Sequence, residues 1–207
     1  MKKRLRSGER DPGTGAAPPL ATLVSMADIH STASADMRRS ATRPTREQYF
    51  MLLAVATRER ANCLRRHVGA VLVADQRIIA TGYNGTPTGI PNCDEGGCHR
   101  CSHPESYAEG RGYDICICVH AEQNAVLQAA KLGYSVQGAA CYSTLRPCFG
   151  CLKELYQSGV SAVRYLNEWT PSDPVEAAAY DALLGELAGR GVVVAPLELP
   201  AGLLDLR

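Results

Sequence analysis

The sequence has no long hydrophobic run, and no hydrophobic segment follows its basic start. No stretch approaches the roughly 20 apolar residues that a membrane helix requires, so we expect no membrane partner. Residues 1–6 are basic, as at the start of a secretory signal, but Gly, Pro, Asp and Thr follow in place of an apolar region. We therefore expect a cytoplasmic protein. In a chain that is not secreted, nine cysteines indicate metal binding or redox chemistry before they indicate disulfides.

The chain also has little net charge, and that charge is unevenly distributed. The total is +1 over 207 residues, yet residues 1–46 carry +5 and the remainder carries −4. Nucleic-acid binding depends largely on neutralising phosphates, so an acidic folded part is a poor match for a polyanion. We expect no nucleic-acid partner, although a small anionic substrate needs only a local group of donors.

The order of the predicted elements indicates one α/β domain after a tail. Residues 1–44 are rich in Arg, Ser, Thr, Ala, Gly and Pro without a sustained hydrophobic period, which predicts a disordered basic tail. Residues 45–207 show no internal repeat and form the predicted domain. The predicted helices cover 46–62, 119–131, 148–157 and 174–188, and the strands cover 67–73, 77–83, 139–143, 160–166 and 191–194. This order predicts a three-layer α/β/α sandwich with one mixed sheet of about five strands.

Two short motifs carry candidate metal ligands. His120-Ala121-Glu122 begins one predicted helix, and Pro147-Cys148-Phe149-Gly150-Cys151 begins the next. One His and two Cys provide three zinc ligands, and a three-ligand site keeps a fourth position for water. Glu122 follows the His closely enough to move the protons of that water. This combination of H-x-E with P-C-x-x-C is the known signature of zinc-dependent nucleobase deaminases.

Less specific interpretations exist for each motif. A lone Cys-x-x-Cys pair is more typical of thioredoxin-like redox chemistry, and Glu122 could be an ordinary acidic residue in the first turn of a helix. Redox motifs rarely occur with H-x-E at a helix start one β-α unit earlier. We therefore predict that His120, Cys148 and Cys151 bind a catalytic zinc and that Glu122 is the general acid and base.

Beyond these motifs, the sequence resembles a particular family. Residues 62–71 and 78–87, joined to 120–125 and 147–151, are similar to the deoxycytidylate (dCMP) deaminases of the cytidine deaminase superfamily. The similarity covers about residues 48–194, and the Gly-Tyr-Asn-Gly-Thr-Pro segment indicates the dCMP branch. It implies hydrolysis of dCMP to dUMP and ammonia, which supplies thymidylate synthesis. A zinc-bound hydroxide would attack C4, and Glu122 would carry protons to N3 and to the leaving amine.

The resemblance also implies substrate contacts outside the motifs. Asn84 matches the residue that hydrogen-bonds the sugar 3′-hydroxyl, with a plain turn asparagine as the alternative. Asn84 and Ala121 are the predicted substrate-binding residues. Arg60, Arg65 and Arg146 are candidates for the 5′-phosphate because they lie near the motifs in sequence, or else they are solvated surface residues.

Regulation is a further implication of the resemblance. Gly82, Tyr83 and Gly85 match a segment that contributes to a regulatory nucleotide site in allosteric members. Those members are activated by dCTP with Mg²⁺ and inhibited by dTTP, usually as hexamers. We expect a homo-oligomer, and the sequence leaves open whether these effectors act on this chain.

Besides Cys141, six further cysteines exceed what the first zinc site needs. In phage members that the sequence resembles, positions matching Cys63 and Cys93 bind a structural zinc. A closed four-ligand zinc would join the long loop over 84–118 to the first helix and stabilise both. We expect a second, structural zinc, and its candidate ligands are Cys63, Cys93, Cys101 and Cys116, with Cys98 close behind. Cys118 and Cys141 are predicted to be packing residues.

Other functions stay open at this point. The same motifs would suit another cytosine nucleotide or nucleoside, such as a modified cytidylate, or the pyrimidine intermediate of riboflavin synthesis. Editing of tRNA or of single strands agrees less well with an acidic folded part that lacks a basic and aromatic surface. A zinc-stabilised binding module without catalysis is a different class, and the intact Glu122 argues against it.

Overall fold

A five-stranded mixed sheet organises the protein. The structure is a computed structural model that describes residues 43–107, 112 and 115–203. The strands are β1 Gly69–Ala74, β2 Arg77–Tyr83, β3 Ala140–Leu145, β4 Ala162–Asn167 and β5 Val193–Pro196, in the order β2-β1-β3-β4-β5. The β2–β1 and β1–β3 pairs are antiparallel, whereas β3–β4 and β4–β5 are parallel. The predicted mixed sheet is confirmed.

Helices cover both faces of this sheet. They are α1 Arg46–Arg58, the single-turn α2 His99–Ser102, α3 Ala121–Leu132, α4 Phe149–Gln157 and α5 Pro174–Gly189. Successive residues of a strand face opposite sides. Ala70 and Leu72 of β1 pack in the core beneath α3, α4 and α5, and Val71 and Val73 pack against α1. The predicted α/β/α sandwich is therefore confirmed.

Several element ends differ from the sequence prediction by two to four residues. Thr45 caps α1 as predicted, but the helix ends at Arg58 because a tight turn follows and the Asn62 N–H bonds to the carbonyl of Asn84 at 3.3 Å. Helix α3 begins at Ala121, since the preceding Val119 pairs with Gly85 in a short bridge. Strand β3 continues to Leu145.

The connections show one tight hairpin and one long loop. Asp75 and Gln76 adopt φ angles of 47° and 61°, which is the conformation of a two-residue hairpin turn, and they join β1 to β2. Short 3-10 turns at Cys93–Glu95 and Pro104–Ser106 flank α2 within the predicted irregular loop.

Two further sequence predictions concern the basic tail and membrane-spanning helices. The basic tail predicted over residues 1–44 lies outside the described residues except for Arg43 and Pro44. Among the helices of the described ranges, none has the length and apolar character needed to cross a membrane.

Candidate active site and cysteine cluster

The ends of two helices bring the motif residues together beside β3. His120 is the N-cap residue of α3, and Cys148 is the N-cap residue of α4, with Cys151 in the first turn. The loop before Cys148 is held because the Tyr180 hydroxyl donates to the carbonyl of Pro147 at 2.7 Å. Helix N-termini carry partial positive charge, which favours thiolates at this position.

His120, Cys148 and Cys151 form a compact set of donor atoms, the His-Cys-Cys site. The Nδ1 atom of His120 lies 3.3 Å from the Sγ of Cys151 and 3.4 Å from the Sγ of Cys148. The pKa of Cys148 is lowered to about 4, mainly by its hydrogen bond with the Cys151 thiol and also by His120. A thiolate is the form that binds zinc, so this donor set suits a tetrahedral zinc with one open position.

Glu122 is a buried carboxylate beside the His-Cys-Cys site. Its side chain is 4% exposed, and burial raises its pKa above the ordinary value. The Ser143 hydroxyl donates a hydrogen bond to Oε1 of Glu122 at 2.7 Å, which fixes the orientation of the carboxylate. A raised carboxyl pKa of this kind is typical of residues that act as general acids and bases.

Sequence reasoning missed Ser143, although one signal was available. Ser143 lies two residues after Cys141 on β3, so both residues face α3, and both are fully buried. A polar residue on a buried strand face requires a hydrogen-bond partner, and Glu122 supplies one.

A cavity of about 830 Å³ opens beside these groups. Its wall includes the predicted residues His120, Glu122, Cys148, Asn84 and Ala121. Four arginines put positive charge on the wall: Arg65, Arg66, Arg100 and Arg146. The β4–α5 connection and α5 contribute Trp169, Pro171, Glu176 and Ala179. The sequence reasoning had not singled out Arg66, Arg100 or Trp169.

Asn84 occupies the cavity wall and also supports the backbone around it. Its Oδ1 accepts a hydrogen bond from the Val68 N–H, and its Nδ2 donates to the Arg66 carbonyl, both at 2.7 Å. An amide has a second N–H and a second lone pair on its oxygen. The structural role therefore leaves Asn84 with hydrogen-bonding capacity for a ligand.

The three arginines named from sequence as phosphate candidates occupy different positions, and Arg65 lines the cavity. Arg146 lines the cavity, but it forms an ion pair with Glu168 and its guanidinium lies 4.6 Å from the centroid of the Tyr180 ring. Arg60 is exposed and is not among the residues that line the cavity.

The glycine segment that resembles a regulatory site has a packing role in this fold. A Cβ on Gly82 would lie 2.1 Å from the carbonyl oxygen of Ala121, so only glycine lets β2 approach α3 so closely. A Cβ on Gly85 would lie 2.5 Å from Oδ1 of Asn62. Tyr83 is partly exposed, and its carbonyl accepts from the Asn124 amide at 2.7 Å.

Six cysteines pack together and form the cysteine cluster, and four of them, Cys63, Cys101, Cys116 and Cys118, line the same cavity. Five of them are buried and Cys116 is half-buried. They fall into two groups of four sulfur atoms, each within 4.8 Å of one another: Cys63, Cys93, Cys101 and Cys118, and Cys98, Cys101, Cys116 and Cys118. Sequence reasoning had set Cys118 aside as a packing residue, yet both groups contain it. His99 and His103 stack on each other and belong to neither group.

A five-stranded mixed sheet with a His-Cys-Cys site at two helix N-termini defines the deaminase-like class of α/β/α proteins. The sequence profile of the cytidine and deoxycytidylate deaminase zinc-binding region matches residues 44–167. The chain belongs to this family.

Two of the similar proteins are deoxycytidylate deaminases. Deoxycytidylate deaminase of Schizosaccharomyces pombe is 45% identical over 123 residues, which are 59% of this chain and 37% of the relative. Deoxycytidylate deaminase of Mycobacterium phage D29 is 37% identical over 132 residues, which are 61% of this chain and 98% of the relative. This chain thus spans well under half of the length of the fission-yeast relative and nearly all of the phage relative.

A solved structure shares the fold. The dCMP deaminase of cyanophage S-TIM5 in complex with dCMP and dUMP is 30% identical, with a TM-score of 0.56. The match covers 75% of this chain and 99% of the cyanophage chain.

Proposed function

We propose that this chain catalyses the hydrolytic deamination of dCMP to dUMP and ammonia. The observation that carries the proposal is the buried Glu122, held by Ser143 beside three zinc-type donor atoms on the wall of a cavity. The substrate is supported by the phage D29 relative, which this chain covers almost completely, and by the cyanophage complex with dCMP and dUMP.

In the proposed reaction, His120, Cys148 and Cys151 would hold a zinc ion. Bound there, zinc would supply a water molecule acidic enough to lose a proton near neutral pH. Glu122 accepts a proton from water and passes it to N3 of cytosine while the water oxygen bonds to C4. Glu122 then delivers a second water proton to the exocyclic amine, and the C4–N bond breaks to release ammonia. Ser143 keeps the carboxylate oriented through both transfers.

Substrate recognition follows from the chemistry of the cavity wall. Ala121 stands at the first position of α3, where backbone N–H groups lack partners within the helix and can donate to a ligand. Asn84 offers its second N–H to the sugar 3′-hydroxyl. Arg65 and Arg66 are exposed on the wall and are the proposed phosphate donors. Arg146 is a secondary candidate because Glu168 already engages it.

The experiment that tests this proposal is steady-state deamination by the purified zinc-loaded chain. The panel contains dCMP, CMP, deoxycytidine, dCTP and a hydroxymethylated dCMP, with ammonia and the uracil product measured together. We expect the largest kcat/KM for dCMP and equal amounts of dUMP and ammonia. A larger value for deoxycytidine or for the modified cytidylate would replace the proposed substrate. Absence of ammonia from every compound would favour a binding module.

The family resemblance adds proposals on metals, regulation and assembly. We propose a second, structural zinc in the cysteine cluster, in addition to the catalytic zinc. Activation by dCTP with Mg²⁺, inhibition by dTTP and a homo-oligomer such as a hexamer stay predictions, as does a cytoplasmic location. Adding dCTP or dTTP to the dCMP assay, with native mass spectrometry of the same samples, tests the first three.

A further inference from the structure

The cysteine cluster contains more sulfur donors than one metal ion can use. Its six cysteines come from four chain segments: the turn after α1, the 3-10 turn at Cys93–Glu95, the ends of α2, and the segment just before α3. A tetrahedral zinc site takes four ligands. A single zinc would therefore leave two cysteine thiols beside it without a role.

The sulfur–sulfur distances match metal coordination and exclude disulfides. Cys63 and Cys101 are separated by 3.9 Å between Sγ atoms, and Cys116 lies 3.7 Å from both Cys98 and Cys101. A disulfide bond is about 2.05 Å long. Two thiolates on one tetrahedral zinc lie about 3.8 Å apart, given a Zn–S bond of roughly 2.3 Å.

The two groups of four overlap in a specific way. Cys101 and Cys118 belong to both groups, whereas Cys63 and Cys93 belong only to one, and Cys98 and Cys116 only to the other. Two tetrahedral metal sites that share two ligands have this composition. The two shared cysteines would bridge the metal ions, and each of the other four would bind one ion only. A single four-cysteine site would leave two of the six sulfurs within 4.8 Å of Cys101 and Cys118 but without a metal of their own.

The charge of the cluster also favours two metal ions. Five of its six sulfurs are buried, and buried negative charge is costly unless a cation compensates it. Six thiolates carry more negative charge than one divalent ion compensates. Two such ions compensate four of the six charges, and Arg65, Arg66 and Arg100 line the same cavity wall.

Backbone donors stabilise the terminal thiolates on both sides. The Leu64 N–H donates to the Sγ of Cys93 at 3.4 Å. Backbone N–H groups of Cys101 and Ile117 lie within hydrogen-bonding reach of the Cys98 thiol. N–H donors of this kind are the usual partners of metal-bound sulfur.

We propose that the cysteine cluster is a binuclear zinc–thiolate site. One ion is held by Cys63 and Cys93, the other by Cys98 and Cys116, and Cys101 and Cys118 bridge them. This goes beyond a single structural zinc, because Cys98, Cys116 and Cys118 all become ligands. The bridging Cys118 lies two residues before His120, so the cluster would also fix the chain where it enters the His-Cys-Cys site.

The zinc content of the full chain tests this proposal independently of catalysis. The double variant Cys148→Ser with Cys151→Ser removes two thiolates of the His-Cys-Cys site, so the zinc that remains belongs to the cluster. We expect two zinc ions per chain in this background by elemental analysis and native mass spectrometry. Adding Cys98→Ser and Cys116→Ser should reduce the count to one, whereas adding Cys141→Ser, a buried cysteine outside both groups, should leave it at two.

Cadmium NMR gives a second readout that needs no cluster variant. In the same Cys148→Ser, Cys151→Ser background, NMR-active cadmium should give two tetrathiolate resonances that are scalar-coupled through the shared sulfurs. One resonance, or two without coupling, would overturn the binuclear assignment. A count of one zinc that the Cys98→Ser and Cys116→Ser changes do not alter would overturn it as well. A deaminase that fails the activity assay would still give the predicted zinc count, so the two proposals fail separately.

Discussion

The His-Cys-Cys site and the cysteine cluster differ in ligands, in support and in access. The first combines one imidazole with two cysteine sulfurs, is held by two regular helices on the sheet, and has a buried carboxylate beside it. The second has six sulfurs and is held by turns and by the four-residue helix α2. A site with an open position and a proton carrier suits catalysis, whereas an all-sulfur site suits stabilisation. We infer that similar ligand atoms serve two purposes in this protein, according to what surrounds them.

The two regions are also physically joined. Cys118 belongs to the cluster, His120 belongs to the His-Cys-Cys site, and Val119 between them pairs with Gly85. The loop that the cluster organises therefore ends at the start of α3. We infer that the cluster contributes to catalysis only by positioning this start.

The largest effect is expected on turnover when the His-Cys-Cys site is broken. Cys151→Ser should lower kcat for dCMP by roughly 10³-fold or more, because the zinc contribution to the transition state is worth several kcal/mol. Zinc content should fall by one ion per chain, while urea unfolding changes little. A Cys141→Ser control should keep the full zinc content. Turnover within about tenfold of the parent would contradict the assignment.

Breaking the cysteine cluster should instead affect stability. Cys63→Ser removes a terminal ligand and should lower the free energy of unfolding by several kcal/mol, since structural zinc contributes directly to folding. The decrease is measured by urea unfolding with zinc held constant. Activity per folded molecule should fall far less than in Cys151→Ser. An unchanged unfolding midpoint would mean that the cluster binds no structural metal.

Ser143 is proposed to act as a positioning residue for the carboxylate. Ser143→Ala removes a hydrogen bond to a charged group, which is worth about 1.5–3 kcal/mol, so kcat should fall roughly 10- to 100-fold. KM for dCMP should change little, because Ser143 contacts Glu122 and not the nucleotide. Ser143→Thr keeps the hydroxyl and should recover most of the lost rate. A purely structural role would leave kcat intact and lower only the stability.

The smallest effect is expected on dCMP binding, at Arg66 on the cavity wall. Arg66→Ala should raise KM for dCMP about 3- to 10-fold through loss of a charge-assisted phosphate contact. Arg60→Ala is the matched control, since Arg60 lies away from the cavity. Deoxycytidine has no phosphate, so Arg66→Ala should not change its KM. Equal effects of Arg66→Ala on both compounds would exclude a phosphate contact.

Much of the fold was predictable because its signals are local. The His120 and Cys148 motifs, the Thr45 cap and the alternating strands each occupy a few adjacent positions, and the structure confirms the order of the elements. Helix and strand ends were less accurate, because contacts distant in sequence decide them. The pairing of Val119 with Gly85, which delays the start of α3, is one example.

The arrangement of the cysteine cluster could not be predicted from the sequence. Its cysteines come from four segments, and spacing alone does not tell which sulfurs meet. Cys118 seemed redundant beside His120, yet the fold places its sulfur in both groups of four. Ser143 and Arg66 were missed for the same reason, since their significance depends on Glu122 and on a cavity wall formed by separate elements.

The most direct measurement is dCMP turnover by zinc-loaded Glu122→Gln. The amide keeps the size of the carboxyl group but cannot accept and return a proton. We predict unchanged zinc content, an unchanged unfolding midpoint, and a kcat reduced by about 10²- to 10⁴-fold. Turnover within a few-fold of the parent chain, at full zinc occupancy, would contradict the central role assigned to Glu122.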